Sequence, residues 1–393
     1  MRRESWGVAA VFTLNGAILG SWVARVPDAA SQTGSSPGVL GLALLGIAGG
    51  AIVAMPVTGR ICARLNTRHV VTTAAATNVL SLPLIALAHT PVQLAGALIV
   101  YGATTGATDV AMNTNAMAAV RLAARPLLPV FHGAFSAGGM VGAAVGGLAA
   151  DRAGMRPHFL AAAAIGLVVV AMAYRWLPTD PPTTHPADAP GTAPRRFDAT
   201  IAILGAIAFC SALGEGAMSD WSALFMRDVL DTGAGTAAAG FTAFSLAMTI
   251  SRFAGTAVLG RYGPASTLVG GCSLAAAGAL VVVLSPAPAV ALVGFFAVGA
   301  GLAGGFPIAL NAAGAHASGS GPAIGVVTTI GYTGFLAGPP AIGFVAQWTN
   351  LRIGLTLVAV AAGVSLVLAI AQRRLLTEAD PSQGPPASPS ARI

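Results

Sequence analysis

Charged side chains are scarce in this sequence, and lysine is absent. Only 8% of the 393 residues are charged, and all 20 basic residues are arginine. Soluble domains carry roughly a quarter charged residues, so a water-soluble fold is excluded. Hydrophobic residues make up 55% of the chain and its mean hydropathy is +0.78, which is typical of a protein that lies mostly within a membrane.

Cysteine and enzyme motifs are also scarce or absent. The three cysteines form no C-x-x-C pair, so the sequence indicates neither a disulfide framework nor a metal site. It contains no Walker loop, H-E-x-x-H or G-x-S-x-G motif, so ATP-driven pumping and membrane proteolysis have no support. The formal net charge of +7 comes from arginines spread along the chain, which argues against nucleic acid as a partner. We therefore expect a protein that is not an enzyme and has no cofactor.

Apolar runs divide the chain into twelve pieces. A membrane span needs about 20 mostly apolar residues, and clusters of glycine, proline and arginine mark the boundaries between runs. The predicted spans are residues 6–24, 38–58, 70–89, 92–119, 127–150, 158–177, 199–220, 236–259, 265–284, 288–312, 322–345 and 352–372.

A proline-rich polar stretch separates the sixth span from the seventh. Residues 178–198 read PTDPPTTHPADAPGTAPRRFD, a composition that cannot bury a core. We predict that it is a cytoplasmic linker between an N-terminal six-helix bundle, residues 1–177, and a C-terminal six-helix bundle, residues 199–372. Residues 373–393 are predicted to form a disordered cytoplasmic tail.

The arginines also predict the orientation of the chain. If the N-terminus is cytoplasmic, only five arginines lie in loops on the other side: Arg25, Arg152, Arg156, Arg227 and Arg352. Arg252 lies within a span, and all the remaining arginines are cytoplasmic. This is the positive-inside pattern. We expect a multi-pass protein of a bacterial inner membrane with both termini in the cytoplasm.

The two halves repeat one another at an offset of about 200 residues. Asn113 corresponds to Asn311, Gly106 corresponds to Gly304, and several further glycines match in the same order. Because six spans is an even number, both halves enter the membrane from the same side, which makes this a parallel repeat.

The loop after the second span carries a family resemblance. GRICARLNTR, Gly59 to Arg68, is similar to the G-x-L-A-D-R-x-G-R-K loop of the major facilitator superfamily. The resemblance implies an all-α membrane protein with twelve transmembrane helices in two pseudo-symmetric six-helix bundles. Ala63 stands at the usual acidic position of this loop, which removes the carboxylate on which the loop's gating role depends.

Three phrases elsewhere in the chain resemble a bacterial branch of this superfamily, loosely related to fucose-type sugar permeases. They are WVARVP, FHGAFSAGG and EGAMSDWSALF.

A glycine-rich stretch on the fifth span has two interpretations. GGMVGAAVGG, Gly138 to Gly147, resembles the G-x-x-x-G-P-x-x-G-G motif of antiporters, with Ala143 at the proline position. The motif would indicate export. Small residues at this spacing also allow close helix packing, which we favour.

Polar side chains within the spans are the candidate functional residues, because an ionisable group in a membrane is costly unless it faces water or a partner. Asp109 lies on the fourth span, with Thr105 and Asn113 one turn to either side. We predict that Asp109 binds a proton and that Asp109→Asn abolishes proton-coupled accumulation. The alternative is a carboxylate held permanently by Arg252 or an amide.

Three further spans contribute ionisable candidates. Glu215 on the seventh span has serines one turn to either side and is a candidate proton or substrate site, with a structural hydrogen bond as the alternative. His132 on the fifth span is suited to donate to a solute or titrate near neutral pH, although a lone histidine is more often structural. Arg252 on the eighth span requires a partner, and we expect that partner to be Asp109 from the opposite half.

Asparagines complete the predicted pathway. Asn15 lies on the first span, and the repeat-related Asn113 and Asn311 are positioned to present amides to a solute from opposite sides. Interhelical hydrogen bonds are the alternative role for these amides.

An outer gate is predicted at the ends of the first and seventh spans. Arg25 and Asp220 occupy nearly equivalent positions there, beside Trp22 and Trp221. The opposite charges are expected to pair when the outer mouth is closed, and two independently solvated charges are the alternative. For the tryptophans, an aromatic belt at the membrane interface is favoured over a stacking platform for a sugar.

The leading functional hypothesis is a secondary active transporter of a small solute, coupled to protons, with a sugar-like substrate favoured. The alternatives are proton-antiport efflux of drugs or metabolites, and a receptor or scaffold that has the fold without transport. The expected partners are a small-molecule solute, protons and membrane lipid, and the chain is expected to act as a monomer.

Overall fold

A computed structural model describes residues 3–123, 125, 127–179, 199–316, 321–373 and 376. All regular structure in these residues is helical, and it begins at Arg3. The elements are α1 (Arg3–Val23), α2 (Val26–Thr33), α3 (Pro37–Arg64), α4 (Thr67–Ile85), α5 (Pro91–Ala123), α6 (Leu128–Ala150), α7 (Met155–Tyr174), α8 (Ala199–Leu224), a π-helical turn (Phe225–Val229), α9 (Ala234–Ala237), α10 (Ala239–Leu284), α11 (Pro288–Leu302), α12 (Gly305–His316), α13 (Gly321–Trp348) and α14 (Leu351–Ala371).

The helices form the twelve predicted spans. Helix α10 contains two of them, because Gly263 adopts a left-handed φ of 73° before Pro264 and breaks the helix. Glycine tolerates this conformation, whereas a side chain would be strained. Helices α11 and α12 together form the tenth span, with a break after Leu302. By length and composition, eight helical stretches of the described residues qualify as membrane spans. The second part of α10 and helices α4, α5 and α13 bring the number to twelve.

The spans form two halves of six, α1–α7 and α8–α14. We call the face where α1 begins and α14 ends the terminal face, and the opposite one the distal face. At the terminal face, Arg68 donates from Nε to the Leu177 carbonyl at 2.8 Å and its guanidinium lies 5.5 Å from the Tyr174 ring centroid. This arginine of the Gly59–Arg68 loop therefore joins α4 to the end of α7. Most of the predicted linker and tail lies outside the described residues.

Small residues allow α1 and α6 to pack very closely. A Cβ atom added to Gly138 would lie 2.0 Å from the Thr13 carbonyl oxygen, and one added to Gly142 would lie 2.1 Å from the Ala17 carbonyl oxygen. Neither position can accept a side chain without moving the helices apart. The packing interpretation of the glycine-rich stretch is thus confirmed.

The two halves contact each other through α3 with α13 and through α6 with α10. These contacts are tight towards the distal face: a Cβ added to Gly41 would lie 2.7 Å from the Pro339 carbonyl oxygen, and one added to Gly343 would lie 2.6 Å from the Pro37 carbonyl oxygen. Towards the terminal face of the same two helices, Gly59 and Gly325 have nothing within 4 Å of an added Cβ. The halves are therefore pressed together at the distal face.

Candidate functional site

Arg252 joins the two halves at mid-depth in the membrane. From α10, its Nη1 donates to Ser136 Oγ of α6 in the opposite half at 2.6 Å. Its Nη2 donates to the Glu215 carboxylate of α8 in its own half, at 3.2 Å to Oε1 and 3.4 Å to Oε2. The arginine and glutamate side chains are 21% and 27% exposed, so water or a solute can reach the pair.

The ion pair corrects one expectation and supports another. We expected Asp109 to be the acid that pairs with Arg252, but Glu215 pairs with it, because α8 and α10 belong to the same half and bring the two groups together. Arg252 does reach across to the other half, although its partner there is the hydroxyl of Ser136. Ser136 lies one turn after His132 and was missed, since a single serine in a span carries little sequence signal.

Asp109 has an amide partner on its own helix. Asn113 Nδ2 donates to Asp109 Oδ1 at 3.2 Å and to the Asp109 carbonyl at 2.9 Å. Protein surrounds the carboxyl on nearly all sides, yet the residue keeps accessible surface. Asp109 is therefore a partly accessible carboxyl inside the bundle.

His132 and Tyr332 also belong to the centre of the bundle. His132 is exposed, lies edge-on to Phe12 with ring centroids 5.5 Å apart, and interacts electrostatically with Arg252 and Glu215. Tyr332 on α13 is 45% exposed and lies within electrostatic reach of Asp109 and Glu215. Sequence reasoning missed Tyr332, because a tyrosine in an apolar span is unremarkable until its neighbours are known.

The predicted asparagines have different surroundings. Asn15 is 4% exposed. It accepts a hydrogen bond from Asn78 Nδ2 at 2.9 Å, and its own amide lies 3.7 Å from Met112 Sδ. It therefore joins α1, α4 and α5 inside the N-terminal half instead of facing the cavity, which corrects its assignment to the pathway. Asn311 is an exposed residue of α12.

The expected pair of Arg25 and Asp220 does not form. Arg25 is 1% exposed, and its guanidinium donates to Asp28 Oδ2 at 2.7 Å, to His158 Nδ1 at 3.2 Å and to the Ala153 carbonyl at 2.9 Å. All three partners belong to the N-terminal half. Asp220, on α8, lies within electrostatic reach of Tyr101 on α5. The prediction failed because the nearby Asp28 satisfies Arg25 locally.

A different ion pair crosses between the halves at the distal face. Arg227, in the π-helical turn after α8, donates from Nη1 to Asp28 Oδ1. The side chains are 33% and 22% exposed. Nearby, the Gly235 backbone N–H donates to Asp151 Oδ1 at 2.8 Å. Asp28 thus holds Arg25 of its own half and Arg227 of the other half.

The two tryptophans are core residues. Trp22 and Trp221 are both 0% exposed, and the Trp22 ring centroid lies 6.4 Å from that of Tyr101. An aromatic belt requires contact with the membrane interface, so the favoured interpretation of these two residues is wrong. They instead fill the bundle below the distal face.

Two pseudo-symmetric six-helix halves around a polar centre, pressed together at one face, define a multi-pass membrane transporter fold. The family model of the Major Facilitator Superfamily matches residues 5–332 and 204–392. The chain therefore belongs to the major facilitator superfamily and is a membrane transporter of that family.

Relatives support this assignment over nearly the whole chain. An uncharacterised MFS-type transporter of Yersinia pestis is 35% identical and the match covers 88% of this chain and 90% of the relative. An uncharacterised transporter of Sinorhizobium fredii is 33% identical over 92% of this chain and 96% of the relative. Membrane protein MosC of Rhizobium meliloti is 27% identical over 92% and 88%.

Solved structures show the same fold at low sequence identity. A variant of the nucleoside transporter NupG has a TM-score of 0.73 at 16% identity, covering 94% of this chain and 99% of that one. A bacterial homologue of the human lysosomal transporter Spinster, inward-facing and unoccupied, has a TM-score of 0.76 at 14% identity, covering 96% and 97%.

Proposed function

We propose that this protein is a secondary active transporter that moves a small solute by alternating access and couples the movement to protons at Glu215. The observation that carries the proposal is the position of Arg252, which bonds Glu215 in one half and Ser136 in the other. A change in the bonding of Arg252 therefore alters an interaction between the halves. Rocking of the halves is the basis of alternating access.

Proton binding competes with Arg252 for the Glu215 carboxylate. When Glu215 is protonated, the carboxyl becomes neutral, the ion pair is lost, and the Arg252 cation must find another partner. The nearby titratable groups are His132, which interacts electrostatically with both members of the pair, and Tyr332. Protonation therefore favours a different arrangement of the halves, and coupling requires only this difference in free energy.

We propose the orientation that the arginines predict, and this orientation defines the present state. With both termini in the cytoplasm of the bacterial inner membrane, the distal face is periplasmic, and the contacts of Gly41 and Gly343 close that mouth. The state described here is then inward-facing. We propose a monomer as the working unit, since each chain contains both halves of the cavity.

The test uses purified protein in proteoliposomes. A thermal-shift screen first identifies a solute that stabilises the folded protein, and its accumulation is then driven by an imposed pH gradient. Glu215→Gln should lose accumulation and its pH dependence but retain exchange of labelled for unlabelled solute, because the amide keeps the shape and loses the titration. Glu4→Gln, at the start of α1, is the control for losing a glutamate and should behave as wild type. Full pH-driven accumulation by Glu215→Gln would refute coupling at this residue.

The same assay separates the alternatives from the proposal. A receptor or scaffold with this fold would bind the solute without catalysing exchange across the membrane. An exporter would accumulate solute when the gradient is reversed. The pair of Arg252 and Glu215 favours neither direction, so the sign of the coupled flux decides between uptake and efflux.

A further inference from the structure

Among the described residues, one carboxylate inside the bundle has no cationic partner. Asp109 on α5 is bonded by the Asn113 amide, and among the described residues no arginine or histidine forms an ion pair with it. Glu215, in contrast, is neutralised by Arg252. An unpaired carboxylate within a membrane is costly, so Asp109 attracts a positive charge.

An aromatic cluster from the other half faces the same region. Tyr332 packs between Phe306 and Phe335, with ring centroids 6.0 Å and 6.3 Å apart. Tyr332 is 45% exposed although protein surrounds most of it, and it lies within electrostatic reach of Asp109. The accessible ring of Tyr332 therefore lies close to Asp109.

We propose that Asp109 and the aromatic cluster of Phe306, Tyr332 and Phe335 bind a protonated amine of the solute. Aromatic faces attract ammonium groups through cation–π interactions, and a carboxylate supplies a charge-assisted hydrogen bond. An anionic group would meet unfavourable charge here. This inference rests on the proposed transport function and defines its substrate as an amine-bearing solute, and it assigns Asp109 to the substrate while Glu215 carries the proton.

The two sides of this subsite belong to different halves. Asp109 is on α5 of the N-terminal half, and the aromatic residues are on α12 and α13 of the C-terminal half. A bound amine therefore contacts both halves at once, so its affinity differs between states in which the halves are differently arranged. Such a difference is required for a ligand to shift a conformational equilibrium.

The experiment compares matched amines and neutral isosteres by thermal shift and by equilibrium binding to the purified full-length protein. The probe pairs are 3,3-dimethylbutan-1-amine with 3,3-dimethylbutan-1-ol, and glucosamine with glucose. Each amine should stabilise the wild-type protein more than its neutral counterpart does. Asp109→Asn should weaken amine binding by about 10-fold or more, the usual effect of losing a hydrogen bond to a charged group, and should leave the binding of the neutral probe unchanged.

Two further comparisons separate the subsite from general damage. Tyr332→Phe keeps the aromatic face and should retain amine binding, whereas Tyr332→Leu should weaken it by about 2-fold or more. Asp220→Asn removes another carboxyl within a span and should keep the preference for amines. Equal stabilisation by amines and neutral isosteres, no stabilisation by either amine, or a preference that survives Asp109→Asn would overturn the proposal.

The outcomes are distinguishable from those that test transport. If amines bind through Asp109 but no exchange occurs across proteoliposomes, the transport proposal fails and the amine subsite remains. If exchange and accumulation occur with a neutral solute and are insensitive to Asp109→Asn, transport at Glu215 stands and the amine subsite is refuted.

Discussion

Arg227 offers a test of whether the distal contacts hold the present state. Its ion pair with Asp28 joins the halves where they meet at the distal face, and this bond must break when that mouth opens. Arg227→Gln removes the pair and leaves Asp28 bonded to Arg25. The expected result is a larger population of the distal-open state.

The magnitude follows from the exposure of the two side chains. Exposed ion pairs contribute about 0.2–1 kcal/mol, and these side chains, 33% and 22% exposed, place the pair near the upper end at about 1 kcal/mol. Losing about 1 kcal/mol multiplies the ratio of distal-open to distal-closed molecules by about five. Asp28→Asn is a poorer test, because it also removes a counter-charge from the nearly fully buried Arg25, and breaking a buried pair costs several kcal/mol of stability.

Distance measurements between spin labels can detect this shift. Ser31→Cys on α2 and Ala289→Cys on α11 place labels on exposed residues of the two halves at the distal face, in a protein whose three buried native cysteines are replaced by alanine. The longer-distance population should grow in Arg227→Gln. Arg152→Gln is the matched control, since Arg152 lies at the same face and bonds the Leu148 carbonyl of its own half. An identical distance distribution in wild type and Arg227→Gln would refute the reasoning.

Three further predictions address topology, packing and the central arginine. Reporter fusions at residue 188 and after the C-terminus should report the cytoplasm, and a periplasmic signal from either would reverse the orientation. Gly138→Ala should lower the thermal midpoint of unfolding markedly, because the added Cβ meets the Thr13 carbonyl. Gly59→Ala is the control and should leave the midpoint unchanged, because its Cβ meets nothing within 4 Å. Equal midpoints for the two variants would contradict the packing. Ser136→Ala should slow solute exchange and weaken Glu215-dependent coupling, because the bond through which Arg252 reaches the other half is lost; unchanged exchange and coupling would show that this bond has no role.

The amino-acid sequence determined the architecture because its signals are long and local. Each span is a run of apolar residues bounded by glycine, proline or arginine, and membrane insertion depends on that composition. The repeat of Asn113 and Asn311 and the linker at 178–198 divided the chain into halves without any tertiary information. Gly138 and Gly142 also predicted close packing from the sequence, because residues four apart lie on one face of a helix.

Only the tertiary structure decided which polar groups meet. Arg25 and Asp220 lie at equivalent helix ends, but Asp28 is three residues from Arg25 and pairs with it. The partner of Arg252 depends on the packing of α8 against α10, and the depth of a residue along its span does not reveal which way its side chain points. The exposure of Tyr332 to the cavity likewise depends on how α13 is rotated. Side-chain pairing across helices depends on rotation and crossing angle, and these are set by the packing of all twelve spans together.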